Sequence, residues 1–240
     1  TIKIAMVGKY VTLADSYVSV NEALKHASAS IGRSVNIDWI DSETFNGNLE
    51  QLDNFDGILV PGGFGTRGSE GIIDTATYAL EKNIPYLGIC FGFQLAAIAF
   101  GRKMCNLENA NSTEIIPDIK NPIIDLLPEQ KQETDMGGSL RLGANEIKIN
   151  QDSLAYKIYN SNKISKRHRH RYEFNTKYRE EFLKNGMIFS GESDNGKRME
   201  ILEIPSHKFF FGVQFHPEFN SRPGFPEQAF KSFVTASSQN

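Results

Sequence analysis

An α/β fold, with a mostly parallel central sheet flanked by helices, is what three features of the sequence predict. Short apolar runs alternate with stretches of helical periodicity through the first half of the chain. The runs at residues 2–7, 57–60 and 85–89 are nearly continuous in apolar residues, as strands buried on both faces are. Each gives way to glycine or to a sharp turn, at the edge where open α/β sheets bind their ligands.

Residues 2–7 (IKIAMV) form the first expected strand, closing at Gly8. Val20, Leu24, Ala27 and Ile31 recur at helical spacing, and Gly32 ends that helix. Residues 35–40 (VNIDWI) alternate as a second strand. Residues 57–60 (GILV) are a third, running straight into Pro61-Gly62-Gly63-Phe64-Gly65-Thr66-Arg67-Gly68. Residues 70–82 read as a helix, and 85–89 as a fourth strand feeding a further helix. The second half is less regular. Residues 104–150 carry acidic and amide side chains, Pro117, Pro122, Pro128 and the turn Met136-Gly137-Gly138. They read as an excursion from the sheet that ends in short strands at 140–142 and 146–149. Short helices are expected at 153–159 and 176–185, the latter closed by Gly186. Strand-like runs follow at 187–191, 199–204 and 209–215, and a closing helix at 225–234. No repeat, linker or low-complexity tract divides the chain, so a single domain over residues 1–240 is expected.

A chain of 240 residues can bury a full core. Its net charge of -3 gives no reason to expect a nucleic-acid or membrane partner. No apolar run approaches the length of a bilayer span, and the opening residues read as a strand rather than a signal peptide. Two cysteines, Cys90 and Cys105, offer neither a disulfide framework nor a zinc-ligand set. The expectation is a cytoplasmic location and no bound metal.

The stretch Gly88-Ile89-Cys90-Phe91-Gly92 has the Gly-x-nucleophile-x-Gly spacing of a strand-turn-helix elbow. Small flanking residues let the backbone turn tightly and let a substrate approach. Taken alone, the stretch fits a buried structural Cys equally well. The Pro61-Gly62-Gly63 run is a second candidate, able to present bare N–H groups to a developing negative oxygen, or simply a turn. A thiol acting as a nucleophile needs an imidazole, and the chain has five histidines. His26 falls on the first helix and His207 in a turn between strands. His168 and His170 lie in Lys166-Arg167-His168-Arg169-His170-Arg171, either a solvated basic face or an anion-binding segment. His216 follows an apolar strand, and Glu218 stands two residues beyond, near enough to fix its tautomer.

In combination, Gly88-x-Cys90-x-Gly92-x-Gln94, Pro61-Gly62-Gly63 and His216-Pro217-Glu218 resemble the class I (triad) glutamine amidotransferases. The whole chain is similar to the C-terminal glutaminase domain of the CTP synthases. The segments that carry this are Val7-Gly8-Lys9-Tyr10 with Asp15-Ser16-Tyr17, residues 62–71, Asn111-Ser112-Thr113-Glu114, residues 136–143, residues 167–173, and residues 212–219 with Ser221-Arg222-Pro223. The resemblance implies the class I amidotransferase (flavodoxin-like) fold and hydrolysis of L-glutamine to glutamate and ammonia through a γ-glutamyl thioester. Cys90 would be the nucleophile, His216 the base and then acid, and Glu218 the residue that orients it. The N–H groups of Gly63 and Phe91 would form the oxyanion hole. Gly92, Phe93, Gln94 and Glu114 would line the glutamine site, with Arg171 meeting the α-carboxylate and the backbone of Tyr172 nearby.

The resemblance further implies no cofactor for the glutaminase step. ATP, Mg and UTP would belong to an amino-terminal synthase domain of the same polypeptide, reached by ammonia through a tunnel. GTP would activate near the domain junction, and the full-length enzyme would be a homotetramer. No GxxxxGK[ST] loop occurs in these 240 residues, so that synthase domain is expected to lie outside them. The elbow also departs from the family's usual Cys-Leu-Gly-Met-Gln: Phe91 and Phe93 stand in it, and two larger rings could narrow the pocket. Segments 111–114, 136–143 and 167–173 speak against the amidotransferase half of GMP synthetase and against γ-glutamyl hydrolase. Intact Cys90, His216 and Glu218 speak against a non-catalytic module.

Overall fold

The computed structural model describes residues 1–9, 17–45, 48–132 and 140–239. Tyr10, Asp15, Ser16 and the turn at 136–139 therefore lie outside the described residues. The first half alternates β1 (Ile2–Gly8), α1 (Val18–Ser30), β2 (Val35–Asp41), β3 (Gly57–Val60), α2 (Ser69–Lys82), β4 (Tyr86–Ile89) and α3 (Phe91–Met104). The second half holds β5 (Ala110–Ser112), β6 (Asn121–Asp125), β7 (Arg141–Ile149), α4 (Leu154–Tyr159), β8 (Lys163–His170), β9 (Glu173–Phe174), α5 (Arg179–Lys184), β10 (Ile188–Ser193), β11 (Arg198–Glu203), β12 (Phe210–Val213) and α6 (Gln228–Ser237).

The large sheet runs in the order β2-β1-β3-β4-β12-β11-β10-β7-β8. Its first five strands are parallel, a doubly wound arrangement, and the remaining pairings are antiparallel. The expected central sheet flanked by helices is therefore present, extended by an antiparallel arm. Every residue of β3, β4 and β12 is buried, which explains why these strands read as unbroken apolar runs. Edge strand β2 alternates instead. Side chains of β1 divide between two cores: Ala5 and Val7 join α2 and α3 on one face, and Ile4 and Met6 join α1 and α6 on the other. Strands β5, β6 and β9 form a separate small sheet beside α3.

Three segments differ from their sequence reading. The two short strands expected at 140–142 and 146–149 are one strand, β7, because Gly143 carries the chain through at φ 82 without breaking register. The closing helix begins at Gln228 rather than Phe225. Glu227 caps it by accepting from the N–H groups of Ala229 and Phe230. The basic run 166–171, in sequence a solvated face or an anion-binding segment, is for the most part strand β8. There Lys166, His168 and His170 are buried while Arg167 and Arg169 face out. The period of two is present, but the inward positions are charged or polar and give no hydrophobic signal.

Packing at the elbow leaves no room for side chains at its glycines. A Cβ on Gly92 would stand 2.3 Å from the Val60 carbonyl oxygen, and one on Gly88 would stand 2.6 Å from that of Gly92. We predict that Gly92→Ala costs about 2 kcal/mol, because backbone atoms must separate. That corresponds to a drop in Tm of roughly 4–8 °C by calorimetry for a chain of this size. An unchanged Tm would contradict this packing.

Candidate active site

Strand β4 ends where Cys90 turns the chain into α3. Its backbone lies at φ 52, ψ -99, a positive φ that a non-glycine residue holds only under external constraint. Two bonds supply the constraint. The Cys90 N–H donates to the Val213 carbonyl at 2.7 Å, extending the β4–β12 ladder, and its own carbonyl accepts from the Gln94 N–H at 3.1 Å. The thiol is thereby raised above the carboxyl edge of the sheet, 5 % exposed.

Because β12 lies beside β4, its continuation brings His216 to the same edge. The His216 N–H donates to the Arg167 carbonyl of β8 at 2.9 Å. Pro217 starts a 3₁₀ turn that folds Glu218 back, and Glu218 Oε1 meets His216 Nδ1 at 2.8 Å. Burial opposes charge on this imidazole, but hydrogen bonds and negative charge from Cys90 and Glu218 outweigh it and push the pKa up to about 10. The arrangement favours the charged imidazolium form of His216.

The third strand end is the glycine loop after β3. Gly62 is pressed against the imidazole, since a Cβ there would stand 2.9 Å from His216 Cε1. Gly63 lies over the Phe91 ring, its own Cβ position 3.6 Å from Cδ1. Lys9 fixes the loop from below. Its Nζ donates to the carbonyls of Phe64 and Gly65, both at 2.6 Å, and sits 4.3 Å from the Phe91 ring centroid. Burial lowers the Lys9 pKa to about 8, with the charge of Glu114 opposing. Glu114 Oε1 accepts from the Gly65 N–H at 2.8 Å, so the peptide between Phe64 and Gly65 is held at both ends.

The remaining expected residues gather around the same edge. Gln94 is 3 % exposed and donates through Nε2 to the Tyr172 carbonyl at 3.0 Å and to Gln214 Oε1 at 3.2 Å. Arg171 is half-buried, with its guanidinium carbon 5.9 Å from the Tyr172 ring centroid, and Gln130 donates to its carbonyl at 3.0 Å. Phe93 is fully buried in the α2–α3 core, so its ring is committed to packing, and Gly92 is held against β3. Three residues here lie in motifs quoted from the sequence but had no role of their own there: Gly62, Lys9 and Gln214. The signal for Gln214 was available, a lone amide in the otherwise apolar run 209–215.

Among the described residues, His168, His170 and Glu200 bring three potential metal-ligand atoms within 4.8 Å of one another. Glu200 is already paired with Arg141, and the neighbouring Glu173 with Arg198. A cation would meet two guanidinium charges there, so the cluster is better described as a hydrogen-bonded network.

The family profile described as "Glutamine amidotransferase class-I" matches residues 12–236 of this chain. The chain belongs to the class I glutamine amidotransferases. Within that family it matches the glutaminase domain of the CTP synthases. The CTP synthase of Staphylococcus carnosus is 52% identical over 240 residues, covering 99% of this chain and 44% of that protein. That of Halalkalibacterium halodurans is 54% identical over 238 residues, covering 98% of this chain and 45% of that protein. This amidotransferase chain thus spans less than half the length of the curated relatives it matches. Among solved structures, the glutaminase domain of Trypanosoma brucei CTPS with bound acivicin superposes with a TM-score of 0.94 at 37% identity, over 100% of this chain and 95% of that one. A glutamine amidotransferase from Thermotoga maritima, at 12% identity and a TM-score of 0.57 over 99% of this chain and 96% of that one, shares the fold. No helix among the described residues is long and apolar enough to cross a membrane.

An NMR titration tests the electrostatics of the site. We predict that the His216 ring stays protonated up to about pH 10 in the native chain. Cys90→Ala or Glu218→Gln each removes a partner that favours the charged ring, while burial continues to oppose it. The midpoint therefore moves to lower pH in both variants. An unshifted midpoint in Glu218→Gln would contradict the assigned cause.

Proposed function

We propose that this chain hydrolyses L-glutamine to glutamate and ammonia, with Cys90, His216 and Glu218 as its catalytic residues. The observation that carries the reading is the convergence of Cys90, His216 and the Gly62-Gly63 loop from the ends of three adjacent strands. The Cys90 thiolate attacks the side-chain amide carbon, and the oxygen takes up negative charge facing the N–H groups of Gly63 and Phe91. His216, held by Glu218, passes its proton to the amide nitrogen, and ammonia leaves a γ-glutamyl thioester on sulfur. Neutral His216 then takes a proton from water, the hydroxide attacks the thioester, and collapse returns the thiolate and releases glutamate.

The residue types fit the ends of the substrate. Both Gln94 N–H groups are engaged within the protein, so its Oε1 is the atom suited to accept from the α-ammonium. Glu114 adds negative charge on that side while holding the loop, and Arg171 meets the α-carboxylate. Gly92, Phe93 and Tyr172 contribute backbone. The step needs no cofactor or metal.

In the longer protein we place this chain beside a synthase domain of the same polypeptide, to which ammonia passes for ATP- and Mg-dependent amination of UTP to CTP. GTP binds near the domain junction as an activator, the assembly is a homotetramer, and its location is cytoplasmic. The name and greater length of the CTP synthase relatives support the synthase-domain part of this reading.

Glutamine turnover measured by glutamate release tests the proposal directly. Cys90→Ala is expected to leave no turnover above background, and equal turnover would refute the assignment. Arg171→Met is expected to raise KM by roughly 30- to 100-fold, the loss of one charge-assisted pair. A KM that stays put would remove Arg171 from the substrate site. Supplying the amino-terminal domain of a CTP synthase together with GTP is expected to raise turnover, and no change would sink the coupling.

A further inference from the structure

The amide of Gln214 has no part in the chemistry derived above, yet it touches the reacting atom. It follows the last residue of β12 and is wholly buried, and its backbone N–H donates to the Glu200 carbonyl at 2.9 Å. Its Nε2 lies 3.7 Å from Cys90 Sγ, a donor to sulfur, and its Oε1 accepts from Gln94. The direction of this amide follows from its neighbours. The Tyr172 carbonyl accepts from His170 Nδ1 at 3.2 Å and from Gln94 Nε2 at 3.0 Å. A carbonyl can only accept, so Gln94 must turn its NH₂ toward Tyr172. That NH₂ then faces Gln214, which must present oxygen to Gln94 and nitrogen to sulfur.

The histidines anchor this order. Burial holds the His170 pKa down at about 3, and that of His168 is lowered as well, so both rings are neutral. His170 gives its Nδ1 proton to Tyr172 and accepts at Nε2 from His168 Nδ1, 2.9 Å away. Two donor chains therefore start or end at the Tyr172 carbonyl, one from His168 through His170 on β8, and one in which Gln94 donates to it and to Gln214, which in turn donates to Cys90.

A buried N–H aimed at sulfur is poorly satisfied by a thiol, which is a weak acceptor, and well satisfied by a thiolate. As a thiol, Sγ would donate to the Arg169 carbonyl at 3.8 Å. The groups around the sulfur are that carbonyl from β8, the His216 imidazole with Glu218 behind it, Gly62 from the β3 loop, and the Gln214 amide. We propose that Gln214 is a further catalytic residue, which stabilises the Cys90 thiolate by direct hydrogen bonding while fixing the orientation of Gln94 toward the substrate. This rests on the glutaminase reading above.

Alkylation of Cys90 by iodoacetamide, followed against pH by peptide mass spectrometry, tests the role of Gln214 separately from that reading. The reagent is small and neutral, so its rate reports thiolate and not glutamine binding. Burial pushes the Cys105 thiol up to about 11, and Cys90→Ala supplies the background. In Gln214→Leu the rate at neutral pH is expected to fall about tenfold and the profile to move toward alkaline pH. Gln214→Asn keeps a neutral amide but withdraws it from the sulfur, so its profile moves in the same direction and decides the matter if the leucine variant does not fold. Superimposable profiles for native and variant chains would overturn the role of Gln214 and leave the glutaminase reading intact. Alkylation of native Cys90 no faster than of Cys105 would overturn both.

Discussion

One backbone conformation organises this molecule: Cys90 at positive φ between β4 and α3. An ordinary side chain resists that geometry, so the surroundings must impose it. They do so by close approach, with Gly88 against Gly92 and Gly92 against Val60, and by tying Cys90 to β12 and to the first turn of α3. The order β3-β4-β12 then sets the rest, because adjacent parallel strands deliver their loops to the same edge. The thiol, the imidazole and the glycine loop meet there although 154 residues separate Pro61-Gly62 at one extreme from His216 at the other.

The antiparallel arm supplies what the parallel half lacks. Strand β8 reaches the site through backbone, accepting from the His216 N–H at Arg167, while the segment just beyond it carries Arg171 and Tyr172. Its buried side chains are polar: Lys166 pairs with Glu227 at 3.0 Å, and His168 and His170 pair with each other, while His168 Nε2 is left without a hydrogen-bond partner. Glu227 in turn caps α6 and accepts from Tyr159 at 2.8 Å. Buried charge is costly unless paired, and such pairs define one register more than they add stability. A shift of β8 by one residue would place Arg167 and Arg169 inward against these partners. The network thus sets where Arg171 and the Tyr172 carbonyl stand, and through that carbonyl it directs Gln94 and Gln214.

Much of this was legible in the sequence, and what escaped has identifiable causes. Strands β1, β3, β4 and β12 are buried on both faces and declare themselves as apolar runs. The elbow glycines and the His216-Pro217-Glu218 turn are local, so their spacing carries their geometry. Strand β8 escaped because its buried residues are Lys and His, and β7 reads as two strands because Gly143 imitates a break. The short strands β5, β6 and β9 depend on one another and on α3, not on local pattern. In the site, the residues carrying family motifs could be named, but three contributions needed coordinates. Gly62 matters through a clash that is absent, Lys9 through two carbonyls far along the chain, and Gln214 through the direction of an amide. Phe93 shows the reverse: it looked like a pocket residue, and its ring lies in the core.

In the proposed reaction Cys90 forms a covalent γ-glutamyl thioester assisted by His216. Trapping that intermediate tests it most directly: native protein and His216→Asn are mixed with L-glutamine, quenched in acid and digested for mass spectrometry. A hydroxylamine-labile γ-glutamyl group is expected on the Cys90 peptide of the native chain, and it is expected to form much more slowly in His216→Asn. Glutamate formed by the native chain with no adduct on Cys90 at any quench time, or an equal rate of adduct formation without His216, would contradict it.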